Sequence, residues 1–173
     1  KSNNLGRVQL GGSYYYEIPW KKRWTVSLTG QFGWISNQNV DSFFHFYLGG
    51  LPGLKGYPFY SIQGTNSAMV DGTFRIPLFM EKHYKAKWMI WQNSTLGAIF
   101  QIGNAWTTKF LKNEVKKSIG IQWRMNGFSF YNFPTAIEVE YHQPLDKFER
   151  VINEKTIQYG HEGRTYVKVL FDF

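Results

Sequence analysis

The chain has 173 residues, enough for one domain, and its 19% aromatic and 43% hydrophobic residues coexist with a mean hydropathy of −0.38. It has no cysteine, which excludes a disulfide framework and thiolate metal sites, and no run approaches the ~18 consecutive apolar residues of a transmembrane helix. The net charge of +8 invites a nucleic-acid reading, but the lysines lie between strand-like runs, in "WKKRW" at 20–24, "EKHYKAKW" at 81–88 and "KFLKNEVKK" at 109–117, where scattered cations read as solvated turns.

Along the chain, the strand period dominates. Val8, Leu10, Tyr14, Tyr16 and Ile18 alternate with Arg7, Gln9, Ser13 and Glu17. Val26, Leu28, Phe32 and Trp34 alternate with Thr25, Ser27, Thr29 and Gln31. The segments 68–78 and 96–106 follow the pattern less cleanly. Ile119, Ile121 and Trp123 alternate with Gly120, Gln122 and Arg124, and Ile137, Val139 and Tyr141 with Glu138, Glu140 and His142. Val167, Val169, Phe171 and Phe173 close the chain, alternating with Lys168, Leu170 and Asp172. That makes about seven strands and no helix of consequence. Short turns at 17–22 and 130–135 alternate with long polar connections at 37–66, 107–117 and 146–164, and the link 79–87 is intermediate.

The strands are long, roughly 10 to 12 residues, where soluble strands centre on about 5 to 6. Long alternating strands with aromatic ends, joined by turns and long loops in alternation, fit an antiparallel transmembrane β-barrel. Its closure pairs every backbone group where lipid offers no hydrogen bond. Periodicity alone also fits a soluble barrel or sandwich with the apolar face turned inward; strand length, aromatic load and the final aromatic favour the membrane. The start at Lys1 without Met fits a mature product or a fragment.

No enzyme motif emerges. His45, His83, His142 and His161 lack metal-ligand spacing. Glu138, Glu140 and His142 share one strand face and read as a hydrated row rather than a cation site. Gly49, Gly50, Gly53 and Gly56 do not make a nucleotide-binding loop, and no nucleophile elbow occurs. No catalytic residue, metal or cofactor is expected.

Four pieces resemble the BamA/TamA superfamily of outer-membrane β-barrels, whose surface-antigen domain forms the barrel. "FYLGGLPGLKGYPF" at 46–59, with Gly49, Gly50, Lys55, Gly56 and Tyr57, resembles the family's glycine-rich loop. "GTFRIPL" at 72–78 resembles the strand after that loop, "FQIGNAW" at 100–106 a later inner-wall strand, and "YVKVLFDF" at 166–173 the C-terminal assembly signal carried by Val167, Val169, Phe171 and Phe173. The resemblance covers about two thirds of the chain and implies the C-terminal part of a larger or shared barrel, completed by missing strands or another copy. It implies that residues 37–66 fold into the lumen, where glycines permit close approach. It also implies residence in a Gram-negative-type outer membrane, with lipid and client or partner outer-membrane proteins as partners and no nucleic acid.

Where the family has a loop Arg, an inner-wall Asp and a strand Glu, this chain has Lys55, Gln101 and Thr73. The resemblance therefore implies that Lys55 lies near Gln101 or Asp71 and makes at most a Lys–amide hydrogen bond, with Asp71 and Arg75 on the same face as further wall partners. The implied function is insertion or translocation of proteins, with the edge 166–173 as a template for an incoming strand. A passive anchor or pore for a separate functional domain is the alternative.

Overall fold

A computed structural model describes residues 5–130, 133–152 and 154–171. The chain is all-β and antiparallel. Its long strands are β1 (Arg7–Glu17), β2 (Thr25–Ile35), β5 (Asn66–Phe79), β7 (Met89–Trp106), β8 (Lys116–Ser129), β9 (Phe133–Pro144) and β12 (Arg164–Phe171). They pair in that order into one open sheet, and the short β6 (Tyr84–Ala86) pairs with β7 as its eighth strand. Among the described residues β1 and β12 are paired on one side only. Two small pairs lie off the sheet: β3 (Phe46–Tyr47) with β4 (Gln63–Gly64), and β10 (Phe148–Ile152) with β11 (Lys155–Tyr159).

The alternation dictates which way each strand faces. Across the sheet, Arg75, Gly97, Gln122, Glu140 and Tyr166 lie in one cross-strand row, and Asp71, Gln101, Ser118 and Pro144 in another on the same face. The opposite face carries the row Tyr16, Val26, Phe74, Ala98, Ile121 and Tyr141. Leu28, Phe100, Ile121 and Val167 on that face are all at least 45% exposed. Among the described residues sixteen polar or charged residues are buried against ten hydrophobic ones, the reverse of what drives a water-soluble core.

The strand expectations differ from the structure at β7, at β5 and in two of the long connections. β7 begins at Met89, not near residue 96; its first turn-side residues form a hairpin with β6 instead of a loop. The alternation there is broken by a bulge between Trp91 and Asn93 opposite β8, which shifts the pattern by one and hides it from a strict period of two. A second bulge between Pro77 and Phe79 does the same to β5. The connection 146–164 contains the hairpin β10–β11, and 37–66 contains β3–β4.

The buried apolar cluster does not lie within the sheet. Leu48, Leu54, Tyr57 and Ile62 of the glycine-rich connection pack together on Met69 of β5, flanked by Ala105 and Phe148.

Candidate functional site: a glycine-rich loop docked on the polar face

The loop folds tightly upon itself first. The Gly50 amide donates to the Tyr57 carbonyl at 2.9 Å, and the Leu48 amide to the Ile62 carbonyl at 3.0 Å. Gly50 has φ +86°, a left-handed backbone that costs glycine little. A side chain at Gly49 would place Cβ 2.0 Å from the Pro58 carbonyl oxygen. These glycines let the chain reverse within a few residues while Leu54 and Tyr57 are fully buried.

Folded this way, the loop presents Lys55, Gly56 and Tyr57 to the sheet. The Lys55 backbone amide donates to Gln101 Oε1 at 2.9 Å, and Gln101 Nε2 donates to the Gly53 carbonyl at 3.1 Å and to Asp71 Oδ2 at 2.7 Å. Thr73 Oγ1 donates to Asp71 Oδ1 at 3.1 Å, and Ser118 Oγ to Gln101 Oε1 at 3.0 Å. A carboxamide both donates and accepts, so the buried Gln101 satisfies an amide and a carbonyl of the loop together. A carboxylate in its place would have no donor for the Gly53 carbonyl.

The Lys55 ammonium does not end on Gln101. It passes onward to Glu140 of β9, 3.0 Å from Oε1 and 2.7 Å from Oε2. The expectation of at most a Lys–amide bond is corrected here: the amide partner belongs to the Lys55 backbone, and the side chain makes a charge-assisted pair with a carboxylate. The flexible four-carbon stem carries the Lys55 ammonium across the neighbouring strand to the carboxylate.

Glu140 is correspondingly not part of a hydrated row. It is 1% exposed, and four groups surround its carboxylate. Lys55 and Lys168 (3.1 Å) supply charge, Gln122 Nε2 donates at 3.0 Å, and His142 Nε2 lies 3.3 Å away. Arg75 of β5 extends the network, donating from Nε to Gln122 at 3.0 Å and from Nη1 to Ser27 at 3.1 Å. Lys168 also pairs with Glu138 at 2.8 Å, which Arg124 approaches at 3.5 Å. Removing either member of such a buried pair exposes the other to the full desolvation cost.

Three more contacts seat the loop. Tyr57 Oη donates to the carbonyls of Lys117 (2.9 Å) and Asp146 (3.0 Å) and accepts from the Asp146 amide (3.2 Å). Burial pushes the Tyr57 hydroxyl up to about 12, against help from the Asp146 amide. Tyr166 of β12 donates to the Lys55 carbonyl at 2.8 Å. Gly56 lies so close to the wall that a Cβ would sit 2.8 Å from Ser118 Cβ and 3.1 Å from Pro144 N.

The structure thus brings Gly49, Gly50, Lys55, Gly56, Tyr57, Asp71, Thr73, Arg75 and Gln101 into one docked arrangement. Sequence reasoning missed the roles of Glu140, Lys168 and Tyr166; the signal available was their shared parity with Gln122 across adjacent strands. Val167, Val169 and Phe171 lie on the opposite, exposed face, and Phe173 lies outside the described residues. Among the described residues no group of three acidic or histidine side chains is arranged to hold a metal ion. A scan of protein-family models, of curated proteins and of solved structures finds no match to this chain.

Proposed function

We propose that this chain is part of the wall of an outer-membrane β-barrel of the BamA/TamA type, with the polar face toward the lumen and the apolar face toward lipid, acting in insertion or translocation of proteins. The observation that carries the reading is the seating of the 48–59 loop, through Lys55, on a buried polar face whose reverse side is apolar. Water would penalise so large an exposed apolar face, whereas a bilayer favours it. An open sheet in lipid leaves unpaired backbone at β1 and β12, so further strands, from the same or another chain, close the wall.

A client strand would add to the β12 edge, where backbone groups supply affinity and alternate side chains supply specificity. One observation favours the second reading, a passive anchor or pore: Lys55 and Tyr166 fasten the loop to the last two strands of the sheet, which holds that edge in place.

The experiment has two arms. Spin labels at position 28 and position 29 of the membrane-embedded full-length protein are expected to differ, with only the Leu28 site reached by a lipid-soluble quencher; equal accessibility removes the membrane assignment. Depletion of the protein is then expected to lower the amounts of other folded outer-membrane proteins. Unchanged amounts leave the anchor reading.

A further inference from the structure

At one end of the sheet, two connections come together. The β1–β2 turn and the β5–β6–β7 link leave the sheet on the same side, where β8 also ends and β9 begins. Segments 17–24 and 79–88 carry six Lys or Arg against two Glu. The only acid–base pair between them, among the described residues, joins Arg23 to Glu81 at 2.7 Å, both with left-handed backbone. Glu17 also accepts from the Arg23 amide at 3.1 Å. This leaves Lys21, Lys22, Lys82, Lys85 and Lys87 without a carboxylate partner among the described residues.

The same rim is aromatic. Trp88 stacks on Phe130 with centroids 5.0 Å apart, and both are more than half exposed. Trp20 is 78% exposed and Tyr84 52%. Two lysines lean over rings, Lys21 over Trp24 at 5.5 Å and Lys82 over Tyr84 at 5.8 Å. Solubility alone does not call for this, since carboxylates solubilise at least as well as ammonium groups. Amphipathic rings at the edge of an apolar wall settle at headgroup depth, and unpaired lysines at that depth attract anionic headgroups.

We infer that this rim is a binding surface for anionic phospholipid headgroups, the aromatic rings setting the depth and the five unpaired lysines holding the phosphate layer. The inference rests on the membrane reading above and adds the leaflet chemistry that the rim selects. The lysines that lean over rings remain free to face a phosphate, because an exposed cation–π contact is weak, about 0.5–1 kcal/mol.

The test uses the full-length protein reconstituted in phosphatidylcholine vesicles with trace spin-labelled phosphatidylglycerol or spin-labelled phosphatidylcholine. The readout is the fraction of each label immobilised at the protein boundary. The expected result is a several-fold preference for phosphatidylglycerol, about fivefold for a headgroup beside one lysine. That preference falls toward one in the variant with Lys21, Lys22, Lys82, Lys85 and Lys87 all changed to Gln, and falls with added salt as screening shortens the field. Should that variant fail to fold, Lys21→Gln/Lys22→Gln and the salt titration of the unmodified protein carry the same test. No preference in the unmodified protein overturns the inference and assigns the lysines to an acidic protein partner or to water. A preference that survives the lysine changes also overturns it. If neither label is immobilised, the membrane reading itself fails and this inference falls with it.

Discussion

Lys55 Nζ lies 2.7 Å from Glu140 Oε2, joining a loop to a strand 85 residues further along the chain. The carboxylate is 1% exposed and the lysine side chain 17%. The pair therefore sits where water screens it poorly, and each partner depends on the other.

Glu140→Gln is expected to cost more than Lys55→Ala. The first leaves Lys55 and Lys168 without their shared carboxylate, and the loss of a buried partner typically costs about 3–5 kcal/mol. The second leaves Glu140 with Lys168, Gln122 and His142 still in place, so about 1–3 kcal/mol is expected by the smaller loss of one charge-assisted bond. Urea unfolding of the membrane-embedded protein measures both. A larger loss for Lys55→Ala would show that Glu140 depends mainly on the loop lysine and that Lys168, Gln122 and His142 do not hold it alone.

Glycine substitutions separate docking from general chain effects. Gly56→Ala forces Cβ within 2.8 Å of Ser118 Cβ and against the Pro144 backbone, and overpacking of this kind costs about 1–3 kcal/mol. Gly12→Ala meets nothing within 4 Å. Limited proteolysis within 48–59 is expected to speed up for Gly56→Ala and to stay unchanged for Gly12→Ala.

Seating of the loop should depend on alkaline pH through Tyr57. Its hydroxyl ionises at about 12 when seated and near 10.0 when free. The raised value means the seated state retains its proton longer, so this contribution is fully present below about pH 10 and is lost as pH rises toward 12. Protease access to the loop, followed with pH, is expected to rise in that window. Tyr57→Phe should remove the step and lower stability by about 1 kcal/mol, through loss of the hydroxyl's hydrogen bonds to the Lys117 and Asp146 backbone.

How far the sequence showed all this follows from which signals are local. The alternation of Val26 to Trp34 and of Ile119 to Trp123 is a period of two in adjacent residues, and the strands appear where it stands. β7 was half hidden because Gln92 at its bulge breaks the period, and β6 is three residues long. The glycines of 49–56 announced a reversal, since only close approach demands so many. The destination of Lys55 was not legible. A four-carbon side chain chooses among carboxylates by three-dimensional distance, and Glu140 comes into range only once β7, β8 and β9 are in register. Asp71 was the nearer candidate on parity, but its two oxygens are occupied by Thr73 and Gln101.

Strand β12 divides its duties between two faces. Val167, Val169 and Phe171 point outward. Tyr166 and Lys168 point inward, where Tyr166 Oη donates to the Lys55 carbonyl at 2.8 Å and Lys168 shares Glu140 with the Lys55 ammonium. An edge strand paired only with β9 among the described residues is thus also held through a loop more than a hundred residues earlier. Coupling of this kind is reciprocal: whatever β12 contributes to seating the loop, the loop contributes equally to keeping β12 paired. Lys55→Ala should therefore speed amide exchange along β12 although it touches no β12 backbone group, and Tyr166→Phe should speed proteolysis within 48–59. Each is expected at about 1 kcal/mol, roughly a fivefold change in opening, by the loss of one hydrogen bond. In the double variant the two effects should fall short of additive, because the second substitution finds the loop already loosened. Hydrogen exchange on the embedded protein, read separately for β12 and for β1, supplies the check. Faster exchange at both edges alike would mean general destabilisation, and no change at β12 would mean that the loop and the last strand are fastened independently.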